Sequence, residues 1–144
     1  MTRLCLFLDT NVLVSAVLFG GVPGALVDAA REGRVEAIVS LHVLSEFIDV
    51  LTRPRFGIDE QTAMILAEEI ALFAQVIPVM VASGTWVSDI DDDPVIEASI
   101  AGGATHVVTG DLRIRHVEIE SLEVIAPAEA LRLLQADSKL RGRK

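Results

Sequence analysis

Apolar residues along this chain fall in short blocks, and the spacing inside successive blocks switches between that of a buried strand and that of a helix. Residues 3–8 read as a buried strand whose apolar run, Leu4 to Leu8, ends at Asp9, as expected of a strand covered on both faces. A short apolar helix is predicted over 11–18, a turn-rich loop over 20–24 and a helix over 24–32 that stops near Gly33. Residues 35–39 read as a second parallel strand, and a helix over 41–52 must end before Pro54. Asp59 is the expected N-cap of a helix over 60–74, whose apolar positions keep helical spacing. Residues 76–81 read as extended, and Asp93 with Pro94 opens a helix that reaches Ala101 and stops at Gly102-Gly103. A strand over 106–109, a short edge strand over 122–125 and a helix over 127–135 complete the pattern. Repeated strand–helix units of this kind predict an α/β fold, a three-layer α/β/α sandwich with a mostly parallel central sheet.

The 144 residues fit one domain over 1–137, followed by a polar, basic tail over 138–144 that is expected to be disordered. Although 51% of residues are hydrophobic, no uninterrupted apolar run approaches the ~18 residues of a membrane helix. The apolar excess is therefore assigned to a core or a protein interface, a homodimer being one form of the latter. The five apolar residues before Asp9 are too few for a secretory signal, so a cytoplasmic protein is expected. The single cysteine, Cys5, excludes an internal disulfide and a cysteine-rich zinc site, and its place in a buried strand marks it as a small core residue.

Two of the predicted strands end in an acid, Asp9 and Asp111, and a third acidic cluster, Asp89-Ile90-Asp91-Asp92-Asp93, lies between them. In an open parallel sheet the crevice beyond the carboxyl ends of the strands is the ligand site, so the two strand-end acids point into one cleft. Like charges gathered there repel, and a divalent cation relieves that repulsion. Taken singly, Asp9 also suits a helix N-cap and Asp111 a turn residue. Glu46 is a surface glutamate by default: Leu44, Phe47, Ile48 and Leu51 define the apolar face of its helix, and a helical wheel puts Glu46 at the border of an arc covering about half the circumference. Histidines 42, 106 and 116 are scattered without ligand spacing, which disfavours zinc.

The run Leu8-Asp9-Thr10-Asn11-Val12-Leu13-Val14-Ser15-Ala16, the step Leu44-Ser45-Glu46-Phe47, the segment Asp92-Asp93-Pro94-Val95-Ile96-Glu97-Ala98 and the strand end Val107-Val108-Thr109-Gly110-Asp111 together resemble the PIN-domain family of ribonucleases. The likeness is strongest to its single-domain prokaryotic branch, which includes VapC-like toxins of toxin–antitoxin pairs. It spans about residues 3–135. The resemblance implies a metal-dependent endoribonuclease acting on single-stranded RNA, with Asp9, Glu46, Asp92 and Asp111 at the acidic positions. Asp9, Asp92 and Asp111 are then the principal metal ligands, Glu46 orients or deprotonates the attacking water, and Asn11, Thr109 and Ser15 support the cluster. Residue chemistry alone does not separate Asp92 from Asp91 or Asp93. Where relatives often carry another aspartate this chain has Arg113, so the likeness does not extend to a full second metal site. The implied metal is Mg²⁺, with Mn²⁺ as a substitute, because both are hard ions that prefer oxygen ligands. The implied products carry 5′-phosphate and 3′-hydroxyl ends, and the implied partner is an antitoxin.

A net charge of −9 argues against nucleic-acid binding by bulk electrostatics, which requires a basic face. Basic residues are nevertheless paired along the chain, and Arg53, Arg55, Arg113 and Arg115 are the candidate RNA contacts. Five phenylalanines, one tryptophan and no tyrosine leave few platforms for base stacking. Rival readings are weaker. A phosphatase using an aspartyl-phosphate needs a second acid where Asn11 stands, and a receiver domain needs a late lysine where only arginines follow Asp111. The stronger alternative is a non-catalytic module of the same fold that binds protein or RNA.

Overall fold

The computed structural model describes residues 3–78, 94–111 and 122–141. Its centre is a five-stranded sheet in the order β3-β2-β1-β4-β5, with every neighbouring pair parallel. The strands are β1 (Cys5–Leu8), β2 (Glu36–Ser40), β3 (Gln75–Ile77), β4 (His106–Val108) and β5 (Glu123–Ile125). The helices are α1 (Thr10–Phe19), α2 (Gly21–Arg31), α3 (Leu41–Leu51), α4 (Glu60–Phe73), α5 (Pro94–Ala101) and α6 (Pro127–Arg141). β1 lies in the middle and is buried along its whole length, which is why its sequence is apolar without alternation. Its register aligns Phe7 with Ile38 on one side and with Val107 on the other.

The chain leaves β1 toward β2 and later reaches β4 on the opposite side, so the carboxyl ends of β1 and β4 flank the point where the winding direction reverses. Right-handed crossovers put α1 to α4 on one face and α5, which joins β3 to β4, on the other. Gly102 marks how closely the end of α5 approaches the sheet. A Cβ there would lie 2.8 Å from Ile38 Cδ1 and 3.1 Å from Ile77 Cδ1. Among the described residues no single helix is long and apolar enough to cross a membrane.

Two helix boundaries differ from the sequence pattern. The predicted loop over 20–24 shrinks to a sharp corner at Gly20, φ 70°, and α2 begins at Gly21. Pro23 does not delay the helix because it sits in the first turn, where the missing N–H has no intrahelical partner to lose. Helix α6 continues past Gln135 to Arg141, since no glycine or proline intervenes before Gly142.

Candidate active site at the carboxyl edge of the sheet

Asp9 is the first residue beyond β1, and its N–H donates to the carbonyl of Val108, extending the β1–β4 ladder by one bond of 3.1 Å. That bond fixes the backbone from which the carboxylate projects. The side chain caps α1, its Oδ1 accepting the Thr10 N–H at 2.8 Å. Its Oδ2 accepts the Thr109 hydroxyl at 2.7 Å and the Asn11 amide Nδ2 at 3.1 Å. Only 6% of Asp9 is exposed, and Thr109 is fully buried. A buried carboxylate tolerates that position because hydrogen-bond donors replace the water it has lost.

Thr109 organises the other side. While donating to Asp9, its Oγ1 accepts from Asn11 Nδ2 at 3.2 Å and from the Asp111 N–H at 2.9 Å. Asn11 Oδ1 accepts the Gly110 N–H at 2.9 Å. Asn11 thus ties the start of α1 to the loop after β4, and Asp111 is held by its backbone to the same hydroxyl that orients Asp9. Asn11 and Thr109, expected as supporting residues, make these contacts with Asp9, and Ser15 lines the same cleft.

Glu46 reaches the same place from α3. Its Oε1 accepts the Thr10 hydroxyl at 3.0 Å and lies 3.4 Å from His42 Nε2, one turn earlier on the helix. Thr10 therefore bridges two acids, giving its N–H to Asp9 and its hydroxyl to Glu46. Sequence reasoning passed over Thr10 and His42. The i, i+4 spacing of His42 and Glu46 was the available signal, because it places both on one stripe of the helix.

Asp9, Glu46 and Asp111 all line one cleft of about 540 Å³. One wall is the row Asn11, Val14, Ser15 and Leu18 of α1, and the other is His42, Glu46 and Val50 of α3, each row repeating at helical spacing. Because α1 and α3 both leave the carboxyl edge of the sheet after parallel strands, Phe19 at the end of α1 and Arg55 and Phe56 past the end of α3 line the part away from Asp9, and Pro94 and Val95 at the start of α5 line it too. Of the candidate RNA contacts, Arg55 faces this cleft, while Arg53 is paired with Asp49 at 3.1 Å on the outside of α3. Asp92, Arg113 and Arg115 lie outside the described residues.

The carboxylates of Asp9, Glu46 and Asp111 supply the oxygen chemistry that suits magnesium or manganese, with the His42 imidazole beside Glu46. Among the described residues no three histidine, cysteine, aspartate or glutamate side chains gather closely enough to hold a metal by themselves. The described acids fit such an ion in chemistry and leave room for a further ligand.

The sequence model of the PIN domain matches residues 6–113, which contain most of β1, every residue lining the cleft and the whole of β4. The chain belongs to the PIN-domain family. PIN domains are generally nucleases and typically use divalent metals. The fold is similar to that of a chain in the crystal structure of VapBC2 from Rickettsia felis bound to a DNA fragment from their promoter. The TM-score is 0.58 at 14% identity, with 85% of this PIN domain chain and 98% of the other covered. No curated protein matches this chain significantly in sequence. The five-stranded parallel sheet and its helices thus agree with the fold expected from the sequence.

Proposed function

We propose that this PIN domain is a magnesium-dependent endoribonuclease that hydrolyses phosphodiester bonds of single-stranded RNA. The observation that carries the reading is Asp9, buried at the point of winding reversal and aimed by three donors into a cleft that Glu46 and Asp111 share. Orienting one carboxylate this tightly restricts it to a single geometry, which a binding or catalytic role exploits and a solvated acid does not need.

Asp9, Asp111 and Asp92 are the residues that would hold the ion, with manganese as a substitute. When bound, the ion supplies Lewis-acid stabilisation of charge on the phosphoryl oxygens and lowers the pKa of a water. The chain's own contribution is positional. Thr109 and Asn11 keep Asp9 in place, and Thr10 keeps Glu46 turned into the cleft, where it orients the attacking water or takes its proton. A recessed cleft admits a splayed backbone more readily than a duplex, which favours single-stranded RNA.

We further propose a toxin role, with an antitoxin as protein partner and a homodimer as the assembled form. The structural similarity to VapBC2 and the exposed apolar residues Met64, Ile65 and Leu72 of α4 support it. Incubation of the protein with end-labelled single-stranded RNA in magnesium, manganese or chelator tests the activity. Cleavage with either metal, none with chelator and none by Asp9→Asn is expected. RNA bound but never cut by the wild type, with any divalent metal, replaces the nuclease reading with a non-catalytic module.

A further inference from the structure

The chain has five phenylalanines, and their placement is uneven. Phe7 and Phe47 are fully buried in the core, and Phe73 packs against the core with the Arg31 guanidinium 5.4 Å from its ring centre. The remaining two, Phe19 and Phe56, both line the cleft that contains Asp9. Phe19 ends α1 and is 79% exposed, although nothing about a helix terminus calls for an aromatic residue there. Arg55 lines the same end, its guanidinium 4.6 Å from the centre of the Phe56 ring. Among the described residues no carboxylate lies within ion-pair distance of Arg55, in contrast to Arg53.

The cleft therefore has two chemically different ends, acidic where α1 begins and aromatic with a cation where α1 finishes. A rise of about 1.5 Å per residue puts Phe19 roughly 13 Å along the helix from Thr10, too far to touch the reacting phosphate and within reach of a nucleotide further along an extended strand. An apolar protein segment would gain nothing from the arginine. A nucleotide uses both, offering its base to the ring and its phosphate to the guanidinium.

Resting on the nuclease reading of the same cleft, we propose that Phe19, Arg55 and Phe56 form a subsite for a nucleotide flanking the scissile bond: Phe19 stacks on the base, and Arg55, braced over Phe56, contacts a phosphate. Phe19 and Arg55 act through RNA affinity and not through the chemical step.

The test measures fluorescence anisotropy of a labelled single-stranded oligoribonucleotide in magnesium, with all variants built on Asp9→Asn so that binding is read without cutting. Stacking predicts that Phe19→Ala and Phe19→Leu each weaken binding by about fivefold to a hundredfold, while Phe19→Trp retains it. Arg55→Gln is expected to make the plot of log affinity against log salt shallower by about 0.7, the share of one phosphate contact on a single strand. Exposure of Phe19 spares the fold, which circular dichroism verifies. Affinity of Phe19→Ala within twofold of its parent overturns the subsite and leaves this face to a protein partner. An equal loss in the Ala, Leu and Trp variants overturns stacking as well. The two proposals separate cleanly: RNA binding that depends on Phe19 in a wild-type protein that never cuts defeats the nuclease reading alone, and cutting without dependence on Phe19 defeats the subsite alone.

Discussion

Replacing Asp9 by asparagine keeps the size of the side chain but not its hydrogen bonding, and the structure shows how much that difference costs. Both carboxylate oxygens accept: Oδ1 from the Thr10 N–H, and Oδ2 from Thr109 and Asn11. An amide has one acceptor oxygen and one donor-only nitrogen. With its oxygen toward Thr10, the new NH₂ faces Asn11 Nδ2, another donor, and the Thr109 hydroxyl, which already accepts from Asn11 and from the Asp111 N–H. Turning the amide over restores those two bonds and sets NH₂ against the Thr10 N–H, so the cap of α1 is lost. Flipping Asn11 to compensate would set its own NH₂ against the Gly110 N–H that it now accepts. No arrangement satisfies every group.

Each hydrogen bond to a charged group contributes about 1.5–3 kcal/mol, and relaxation recovers part of two, so Asp9→Asn is expected to destabilise the fold by roughly 2–4 kcal/mol. That is a large share of the ~5–15 kcal/mol of a typical domain but not all of it, and the melting temperature should fall by roughly 6–15 °C. Urea unfolding followed by far-ultraviolet circular dichroism, in chelator so that no metal contributes, measures the loss. RNA cleavage is assayed in parallel well below the melting point and is expected to vanish. An unfolding free energy within about 0.5 kcal/mol of wild type would refute the hydrogen-bond argument, because an amide would then have replaced a carboxylate among three donors at no cost. Wild-type cleavage by the folded variant would refute the active-site assignment instead.

Thr109→Val removes the hydroxyl that orients Asp9 while keeping its shape, so a loss of about 2–4 kcal/mol is expected in the same unfolding assay, with Thr109→Ser close to wild type. Gly102→Ala drives a methyl group to 2.8 Å from Ile38 Cδ1 and should cost ~1–3 kcal/mol, with Ile38→Val in the same chain returning part of the loss. Burial, with the charge of Glu36 adding to it, holds the Cys5 thiol above its ordinary value of 9.0. The unfolded thiol ionises first, so stability is full below about pH 9 and is lost as pH climbs through the raised folded value. Unfolding measured against pH should show this decline in wild type, and Cys5→Ala should lack that part of it.

The fold was legible because its strands are buried on both faces and stand out as unbroken apolar runs. β1 and β4 were placed within two residues, and with them the shared crevice, since a strand end is a local signal even when its partner lies about 100 positions away. Boundaries set by details of a single turn were less legible. Pro23 looked like a loop residue and is a first-turn residue, and the polar residues from Ser138 looked like a tail although none of them through Arg141 breaks a helix. Arg53 and Arg55 were indistinguishable in sequence. Only the end of α3 decides that Arg53 lies along the helix beside Asp49 and that Arg55 turns toward the cleft.

Glu46 is exposed, as its place at the edge of the apolar arc predicts, and it lines the cleft as well. On a helix with one buried face, a residue at the edge of the apolar arc meets water, and glutamate there is unremarked. The arc of α3 covers about half the circumference because the helix is buried on more than one side, against β2, α1 and α4 together. The border of so wide an arc lies beside the crevice between α1 and α3. There the half-exposed Glu46 accepts the hydroxyl of Thr10, the residue whose N–H Asp9 caps. Asp9 likewise serves as helix cap and as candidate metal ligand without conflict: the Thr10 N–H that makes it a cap is one of the three donors that aim it. The hydrogen bond that makes Asp9 a helix cap is among those that would aim it as a ligand, so the cap was never an argument against the proposed role.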